Sequence, residues 1–254
     1  MKLKLAIRTE IKVVVAIFGL LALIAFTDKK REGIVCKDIA VRLENEHENH
    51  FVDEADIVYR IEKSGQQIRG ASFDEINLRL IENKLRQEKH VRRADLYTDL
   101  KGNLIATVEL RRPIARLVSE SGPGAYVSEE GIVMPVSERY TSRVVLVSGA
   151  YVRTLLAKGD LSKFDEGKAL LEMINFINDD RFWRAQVAQI DLDEQGRARI
   201  YPQVTSQVVE FGPMQNIEEK FNKLMVFYKD ILPQKGWTRY SRVNVEFQDQ
   251  VIAE

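Results

Sequence analysis

Residues 91–112 read VRRADLYTDLKGNLIATVELRR, and this pattern predicts two β-strands joined by a tight turn. Apolar and polar residues alternate most clearly in the second strand, so one face of that strand would be buried. The residues of the buried face are Leu104, Ala106, Val108 and Leu110. Between the strands, Lys101-Gly102-Asn103 has the composition of a hairpin turn. The stretch therefore predicts an antiparallel hairpin as the framework of a small α+β domain.

A strand and two helices are predicted before this hairpin. Val35 to Leu43 has the alternation of a strand, and Asp53 to Lys63 is interpreted as a helix ended by Ser64-Gly65. Ser72-Phe-Asp-Glu75 has the form of a capping box, and apolar residues at helical spacing follow it as far as Leu85. The predicted order over residues 35–117 is strand, helix, helix, strand, strand.

A second domain, mostly antiparallel β-sheet with two longer helices, is predicted over residues 118–254, which makes the fold class α+β. The segment Ser119–Gly124 is either a domain boundary or the tip of a hairpin. Helical spacing of apolar residues predicts the two helices at Phe164 to Asn178 and at Asn216 to Leu232. A strand from Arg242 to Val251 closes the chain.

The closing strand is the most distinctive feature of the second domain. Val243, Val245 and Phe247 would face one way, and the opposite face is polar, with Asn244, Glu246 and Gln248. A final strand with nothing after it to cover it is expected to lie at a sheet edge, where its free N–H and C=O groups can pair with a strand of another protein. The alternative, a last strand protected by its own polar side chains, is equally compatible with the pattern.

The N-terminal segment predicts a membrane anchor. Residues 13–26, Val13 to Phe26, contain no polar side chain, and basic residues flank them on both sides. As a helix they span about 21 Å, which is short for a hydrocarbon core of ~30 Å. A cleaved signal peptide and a helix of a soluble core are the alternatives. The anchor is favoured because Ala25-Phe26-Thr27 is a poor cleavage site and cations follow at once. Basic residues are nearly balanced across the segment, so charge leaves its orientation open.

Composition argues against a chemical function. The 254 residues contain 38 basic and 38 acidic side chains, so a general electrostatic attraction to nucleic acid is not expected. One cysteine, Cys36, excludes a disulfide framework. His47 and His50 in EHENH are interpreted as a solvated loop in preference to a metal site, and Asp191 and Asp193 as structural carboxylates. We therefore predict no catalytic, cofactor or metal site and no small-molecule substrate.

Several motifs behind the predicted anchor resemble the FtsQ/DivIB family of bacterial cell-division proteins. Val91 to Tyr97 is similar to the family's V-x-x-A-x-V strand, and Val108 to Ala115 (VELRRPIA) to its V-x-E-R-x-P-x-A motif. Tyr126 to Met134 (YVSEEGIVM) is similar to a family hairpin that begins with an aromatic residue, a hydrophobic residue and an aspartate. Ser128 stands where that aspartate is usual.

The resemblance extends over nearly the whole chain. Arg242 to Phe247 (RVNVEF) resembles the closing strand of the family, with Asn244 at an often acidic position and Glu246 at an often basic one. The run from Met134 to Tyr140 is most similar to the Bacteroidetes branch. Each motif is weak alone, but their order is specific.

The resemblance implies an architecture and a location. Residues 1–12 would be a cytoplasmic tail, 13–27 a single transmembrane helix, 35–117 a POTRA domain and 118–254 a β domain. The soluble part would lie in the periplasm, with the protein in the cell inner membrane at the division septum. The implied function is that of a non-enzymatic divisome scaffold, which links early division proteins to septal peptidoglycan synthesis.

The resemblance also implies a partner. Members bind the FtsB–FtsL pair, and their last strand and the preceding helix take up FtsB by strand addition. The residues expected at that site here are Val243, Asn244, Val245, Glu246, Phe247 and Gln248, with Tyr228 on the helix. Two alternatives remain open, an anchored periplasmic POTRA protein of another assembly or secretion pathway, and an anchored periplasmic enzyme with an unrecognised site.

Overall fold

The computed structural model describes residues 16–21, 35–45, 49–119 and 122–254. The chain folds into two compact units. The first comprises the described residues up to Arg42 together with Glu54–Leu85 and Ala94–Val108. The second comprises Leu43–Asp53, Arg86–Arg93 and Glu109–Glu254.

A three-stranded sheet and two helices form the fold around the first unit. The elements are β1 (Asp38–Glu44), α1 (Glu54–Glu62), α2 (Leu78–Arg86), β2 (Val91–Thr98) and β3 (Asn103–Leu110), and the sheet order is β1-β3-β2. The predicted order of strand, helix, helix, strand, strand is confirmed. In the hairpin turn, the Asp99 carboxylate accepts the N–H groups of Lys101 and Asn103, both at 2.8 Å. Gly102 supplies the positive φ that this turn requires.

The predicted capping box is wrong. Helix α2 begins at Leu78, well after Ser72, because the backbone of Ser72 pairs with Val35 in an isolated antiparallel bridge. The residue that caps the helix is Asn77, whose side-chain oxygen accepts the N–H of Leu80 at 3.1 Å. The apolar periodicity before Leu78 therefore belongs to a turn.

Nine strands of the described residues form one larger sheet, which contains the second unit's core. The strands are β4 (Pro113–Leu117), β5 (Ala125–Ser128), β6 (Val133–Pro135), β7 (Val145–Ser148), β8 (Val187–Leu192), β9 (Ala198–Pro202), β10 (Val208–Gly212), β11 (Arg242–Asn244) and β12 (Ile252–Ala253). Their order is β12-β11-β10-β9-β8-β7-β4-β5-β6. The pairs β10–β11, β7–β8 and β4–β7 are parallel and the remaining pairs antiparallel, so the prediction of a mostly antiparallel sheet is confirmed.

Helices supply the rest of this core. They are α3 (Val152–Lys158), α4 (Asp165–Asp179), α5 (Arg181–Gln186), α6 (Ile217–Val226) and α7 (Leu232–Lys235), with a π-helical turn, Phe227–Ile231, joining the last two. The two longer predicted helices are confirmed as α4 and as the α6–α7 segment. Pro233 lies at the start of α7, directly after the π-helical turn.

The predicted domain boundary after Leu117 lies too late. Strand β4 pairs with β5 and β7, so it belongs to the larger sheet. The strands on either side of the Ser119–Gly124 segment, β4 and β5, pair antiparallel within this sheet.

The predicted anchor falls mostly outside the described residues. Of Val13 to Phe26, only residues 16–21 are described, and they are helical and exposed. Within the described ranges, no helix has the length and apolarity needed to cross a membrane. His47 also lies outside the described residues.

Candidate partner-binding edge

Only the first three residues of the predicted closing strand, Arg242 to Val251, form a strand, and a second short strand begins just beyond Val251. Strand β11 ends at Asn244, the chain turns through Asp249, which has a φ of 55°, and β12 returns at Ile252–Ala253 antiparallel to β11. The expectation that the RVNVEF strand is the sheet edge is therefore wrong for the described part of the chain. Strand β12 is outermost there and covers β11. The polar run from Gln248 to Gln250 favours the turn.

Backbone hydrogen bonds connect β11 to β10 on one side and to β12 on the other. On one side of β11, the Val245 N–H donates to the Glu210 carbonyl at 3.1 Å. On the other side, the Arg242 N–H donates to the Glu254 carbonyl at 3.1 Å and the Glu254 N–H to the Arg242 carbonyl at 2.9 Å. Because backbone groups alternate along a strand, Arg242 and Asn244 present theirs to β12 and Val243 presents its own to β10.

The side chains of the predicted site divide into two groups. Val243 and Val245 are fully buried in the core of the larger sheet, as the alternation predicted. Asn244 and Glu246 are half-buried on the opposite, open face. Phe247 leaves the alternation and is 46% exposed, since β11 has already ended. The side chains accessible to a partner are therefore those of the open face and of Phe247.

Glu246 is held in one orientation by three neighbours. The Arg197 guanidinium donates to its two carboxylate oxygens at 2.8 and 2.6 Å, and its backbone N–H donates to the Asn244 side chain at 2.9 Å. Its side chain also lies over Gly212, where a Cβ atom would come within 2.7 Å of the Glu246 Cδ. Sequence analysis missed Arg197 and Gly212, because only the sheet brings them to this position.

A row of alternating charges crosses the open face beside this edge. Arg242 lies 3.8 Å from Glu210, and Arg199 donates to Asp191 at 2.6 Å. That hydrogen bond raises the pKa of Arg199 further above its ordinary value. Arg242 and Glu210, together with Arg197 and Ile252, border a groove of about 390 Å³ beside β11 and β12. The groove is polar and mixed in charge, which suits a peptide backbone with side chains of either sign.

Helix α6 supports the edge from the core side. The buried ammonium of Lys220 donates to the Phe211 carbonyl at 3.0 Å and to the Pro213 carbonyl at 2.7 Å. Burial lowers the pKa of Lys220. One turn later, Lys223 donates to the Phe247 carbonyl at 2.6 Å. The segment after β11 is therefore tied to the helix by a hydrogen bond that does not involve β12.

Tyr228 does not lie on the accessible surface. Its side chain is 4% exposed, and its ring lies 6.2 Å from that of Trp183 and 6.4 Å from that of Trp237. Burial raises the pKa of its hydroxyl. The position of Tyr228 in the apolar stripe of the helix is typical of a buried residue, and the expectation that its side chain lies on a partner surface is wrong.

Those alternative chemical candidates that the structure describes, His50, Asp191 and Asp193, have structural partners. The exposed His50 ring packs edge-on against Tyr140 at 5.1 Å. Asp191 accepts from Arg199 and Ser148, and Asp193 accepts the N–H groups of Gln195 and Arg197 in a turn. Within the described ranges, no three His, Cys, Asp or Glu side chains are grouped so that they could hold a metal ion.

The fold of the first part of the chain defines the class. A family description of a POTRA-like domain matches residues 34–109, which contain the strand, helix, helix, strand, strand unit. The protein is thus one in which a POTRA-like domain precedes a β-rich domain with a short-stranded edge.

The second part identifies the family. The description "FtsQ/DivIB, C-terminal related" matches residues 112–254, more than half of the 254 residues. The chain therefore belongs to the FtsQ/DivIB family, and the resemblance in its motifs is confirmed. No individual curated protein matches it. The family is typically one of membrane divisome proteins and is generally made up of non-enzymatic scaffolds, so its domains indicate a divisome-type scaffold with divisome protein partners.

Proposed function

We propose that this protein is a non-enzymatic scaffold that links early cell-division proteins to septal peptidoglycan synthesis. It would do so by binding an FtsB/FtsL-like single-pass partner through strand addition at the β11–β12 edge of the larger sheet. The observation that carries the proposal is this edge, formed by short strands within the domain that matches the FtsQ/DivIB family.

Backbone pairing would supply the affinity of such a complex. An extended segment that adds to a sheet edge gains main-chain hydrogen bonds whatever its sequence, and the side chains at alternate positions then select the partner. Here the accessible side chains are Asn244 and Phe247. Glu246 is already engaged by Arg197, so its departure from the family pattern alters side-chain selectivity at one position and removes no main-chain donor or acceptor.

The location proposed for the protein rests on the apolar N-terminal segment and on membership of the FtsQ/DivIB family. Residues 13–26 would anchor the chain in the cell inner membrane, with the N-terminus in the cytoplasm and both folded units in the periplasm. Alkaline phosphatase fused after Glu254 should be active in cells, because that enzyme matures only outside the cytoplasm. An inactive fusion that is nonetheless fluorescent with green fluorescent protein in the same place would contradict this orientation.

A substitution at the exposed aromatic side chain tests the site. Phe247→Asp should reduce at least tenfold the amount of FtsB/FtsL-like protein that co-purifies with the tagged, full-length chain from detergent-solubilised membranes. Val204→Asp is the matched control, because Val204 is 76% exposed and lies in the loop before β10, at the other end of that strand from Phe247.

Three results would bear on the proposal. Loss of the partner with Phe247→Asp and its retention with Val204→Asp, both with wild-type circular dichroism, would support the site. Equal recovery with both variants would contradict it. Failure of the wild-type chain to recover any division protein would contradict the scaffold function itself and favour another POTRA pathway or an anchored enzyme.

A further inference from the structure

The edge that the proposed function requires is already occupied by the chain itself. Strand β12 pairs with Arg242 and Asn244, which are the residues of β11 whose backbone groups point away from β10. Resting on the proposed function, we infer that the partner's strand pairs with β11 in the place now held by β12. Residues 249–254 are then a displaceable cover over the binding edge.

Strand β12 is weakly held. It is two residues long, and the bonds that tie its end to the sheet are those between Glu254 and the backbone of Ser241 and Arg242. Ile252 is 40% exposed, and Val251 and Ala253 are only partly buried. A segment with so little buried apolar surface opens at a free energy far below that of global unfolding.

Strand β11, in contrast, is held without β12. The fully buried side chains of Val243 and Val245 lie in the core. The Val245 N–H bonds to β10, and Lys223 holds the Phe247 carbonyl. When β12 leaves, β11 therefore stays in place and exposes an ordered row of donors and acceptors.

A partner strand that paired with the outer side of β12 would find fewer backbone groups to bond than one that paired with β11. The residue opposite Val243 is Ala253, and in an antiparallel pair the backbone groups of such a position point outward. Strand β12 thus offers the N–H and C=O of Ala253, whereas β11 offers those of both Arg242 and Asn244. A longer and better-supported edge lies beneath the cover.

The covering segment indicates what the partner strand looks like. Opposite Asn244 stands Ile252, opposite Val243 the small Ala253, and opposite Arg242 the acidic Glu254. We expect a partner segment with an apolar, a small and an acidic residue at successive positions, since that order places the carboxylate near Arg242.

Hydrogen exchange measures the opening without any partner. In the wild-type chain, the amide of Arg242, which bonds to Glu254, should exchange at least a hundredfold faster than that of Val245, which bonds to β10. Equal protection of the two amides would mean that β12 opens only with the whole domain, and would overturn the inference.

A peptide probe tests whether the vacated edge accepts a strand. A chain ending at Gln248 should show amide chemical-shift changes at Arg242 and Asn244 on addition of the peptide QDQVIAE, which copies residues 248–254. The full chain at the same millimolar peptide concentration should show none. Absence of changes in a truncated chain that keeps its fold would contradict an accessible β11 edge.

A disulfide lock connects the cover to partner binding. In a Cys36→Ala background, V243C/A253C places two thiols at a non-hydrogen-bonded cross-strand pair, whose spacing suits a disulfide. The oxidised form should bind the FtsB/FtsL-like partner at least tenfold less tightly than the reduced form. The chain ending at Gln248 should bind it at least tenfold more tightly than the full chain.

If the oxidised form binds as well as the reduced form, the partner does not displace β12, although the scaffold function stands. If no form binds a partner, the proposed function fails. The hydrogen-exchange and peptide-binding experiments would then still decide whether β12 is displaceable.

Discussion

At the scale of single residues, the binding edge depends on a glycine. Gly212 has a φ of 71° and follows a bulge in the pairing of β10 with β9. A bulge of this kind re-aims the neighbouring side chains, and glycine is the residue that adopts the left-handed conformation without strain. The missing Cβ is also what allows the Glu246 carboxylate to reach Arg197 across the strand.

Replacement of Gly212 should lower the free energy of unfolding by more than backbone strain alone would. Gly212→Ala should lower the free energy of unfolding by about 2 kcal/mol or more, because it adds left-handed strain of about 1 kcal/mol to displacement of Glu246. Gly159→Ala is the control, since Gly159 has the same φ of 71° and open space around its Cα. Urea denaturation of both variants measures the difference, and equal losses would show that the contact with Glu246 has no energetic weight.

A second residue-scale prediction concerns the turn after β5. Burial raises the pKa of Glu130, but hydrogen bonds outweigh it, so the pKa lies below its ordinary value. The donors include the Ser128 hydroxyl at 2.7 Å and the Arg111 guanidinium at 3.2 Å. A carboxyl group with a lowered pKa stabilises the fold above its unfolded-state pKa, and this stabilisation is lost as the pH falls through the folded-state pKa.

Stability of the second unit should therefore decline in acid partly through Glu130. Glu130→Gln should flatten the slope of unfolding free energy against pH between about pH 3 and 5. Urea titrations at several pH values check this, and identical slopes for the wild type and Glu130→Gln would contradict it.

The same turn shows what sequence patterns can and cannot predict at one residue. The motif placed Ser128 at a usual aspartate, and the structure gives a reason why serine serves: its hydroxyl accepts the Ile132 N–H at 3.2 Å and donates to Glu130. Alternation correctly predicted that Val243 and Val245 are buried. It could not predict the exposure of Phe247, because the strand ends before that residue.

At the scale of elements, the start of helix α2 offers a direct test. Asn77→Ala should lower the free energy of unfolding by about 1 kcal/mol, since it removes the acceptor for the Leu80 N–H. Ser72→Ala should change it by less than about 0.5 kcal/mol, because Ser72 pairs through its backbone. Thermal denaturation of the two variants compares them, and a larger loss for Ser72→Ala would restore the capping box.

Long periodic elements were predictable, and short ones were not. Helix α4 and the α6–α7 segment carry apolar stripes over several turns, so their positions followed from the sequence alone. Strand β12 has two residues, too few for any alternation to predict a strand or its pairing with β11. The cover over the candidate site was therefore the element that sequence analysis missed.

At the scale of the whole molecule, the chain combines two units with different connectivity. The fold around the first unit is built from consecutive elements, whereas the larger sheet takes its neighbouring strands β7 and β8 from either side of three helices. The succession of strands and helices in the first fold could thus be predicted from the sequence. The order of strands in the larger sheet could not, because a parallel crossover connection does not show in the sequence which strands it brings together.

The central claim is that a division protein binds at the C-terminal edge of the larger sheet. Photocrosslinking in living cells tests it most directly, with benzoylphenylalanine in place of Phe247 in the full-length chain and, as control, in place of Val204. We predict an ultraviolet-dependent adduct with a small FtsB/FtsL-like protein from position 247 and none from position 204. An adduct of equal yield from both positions, or one from position 204 alone, would contradict the account.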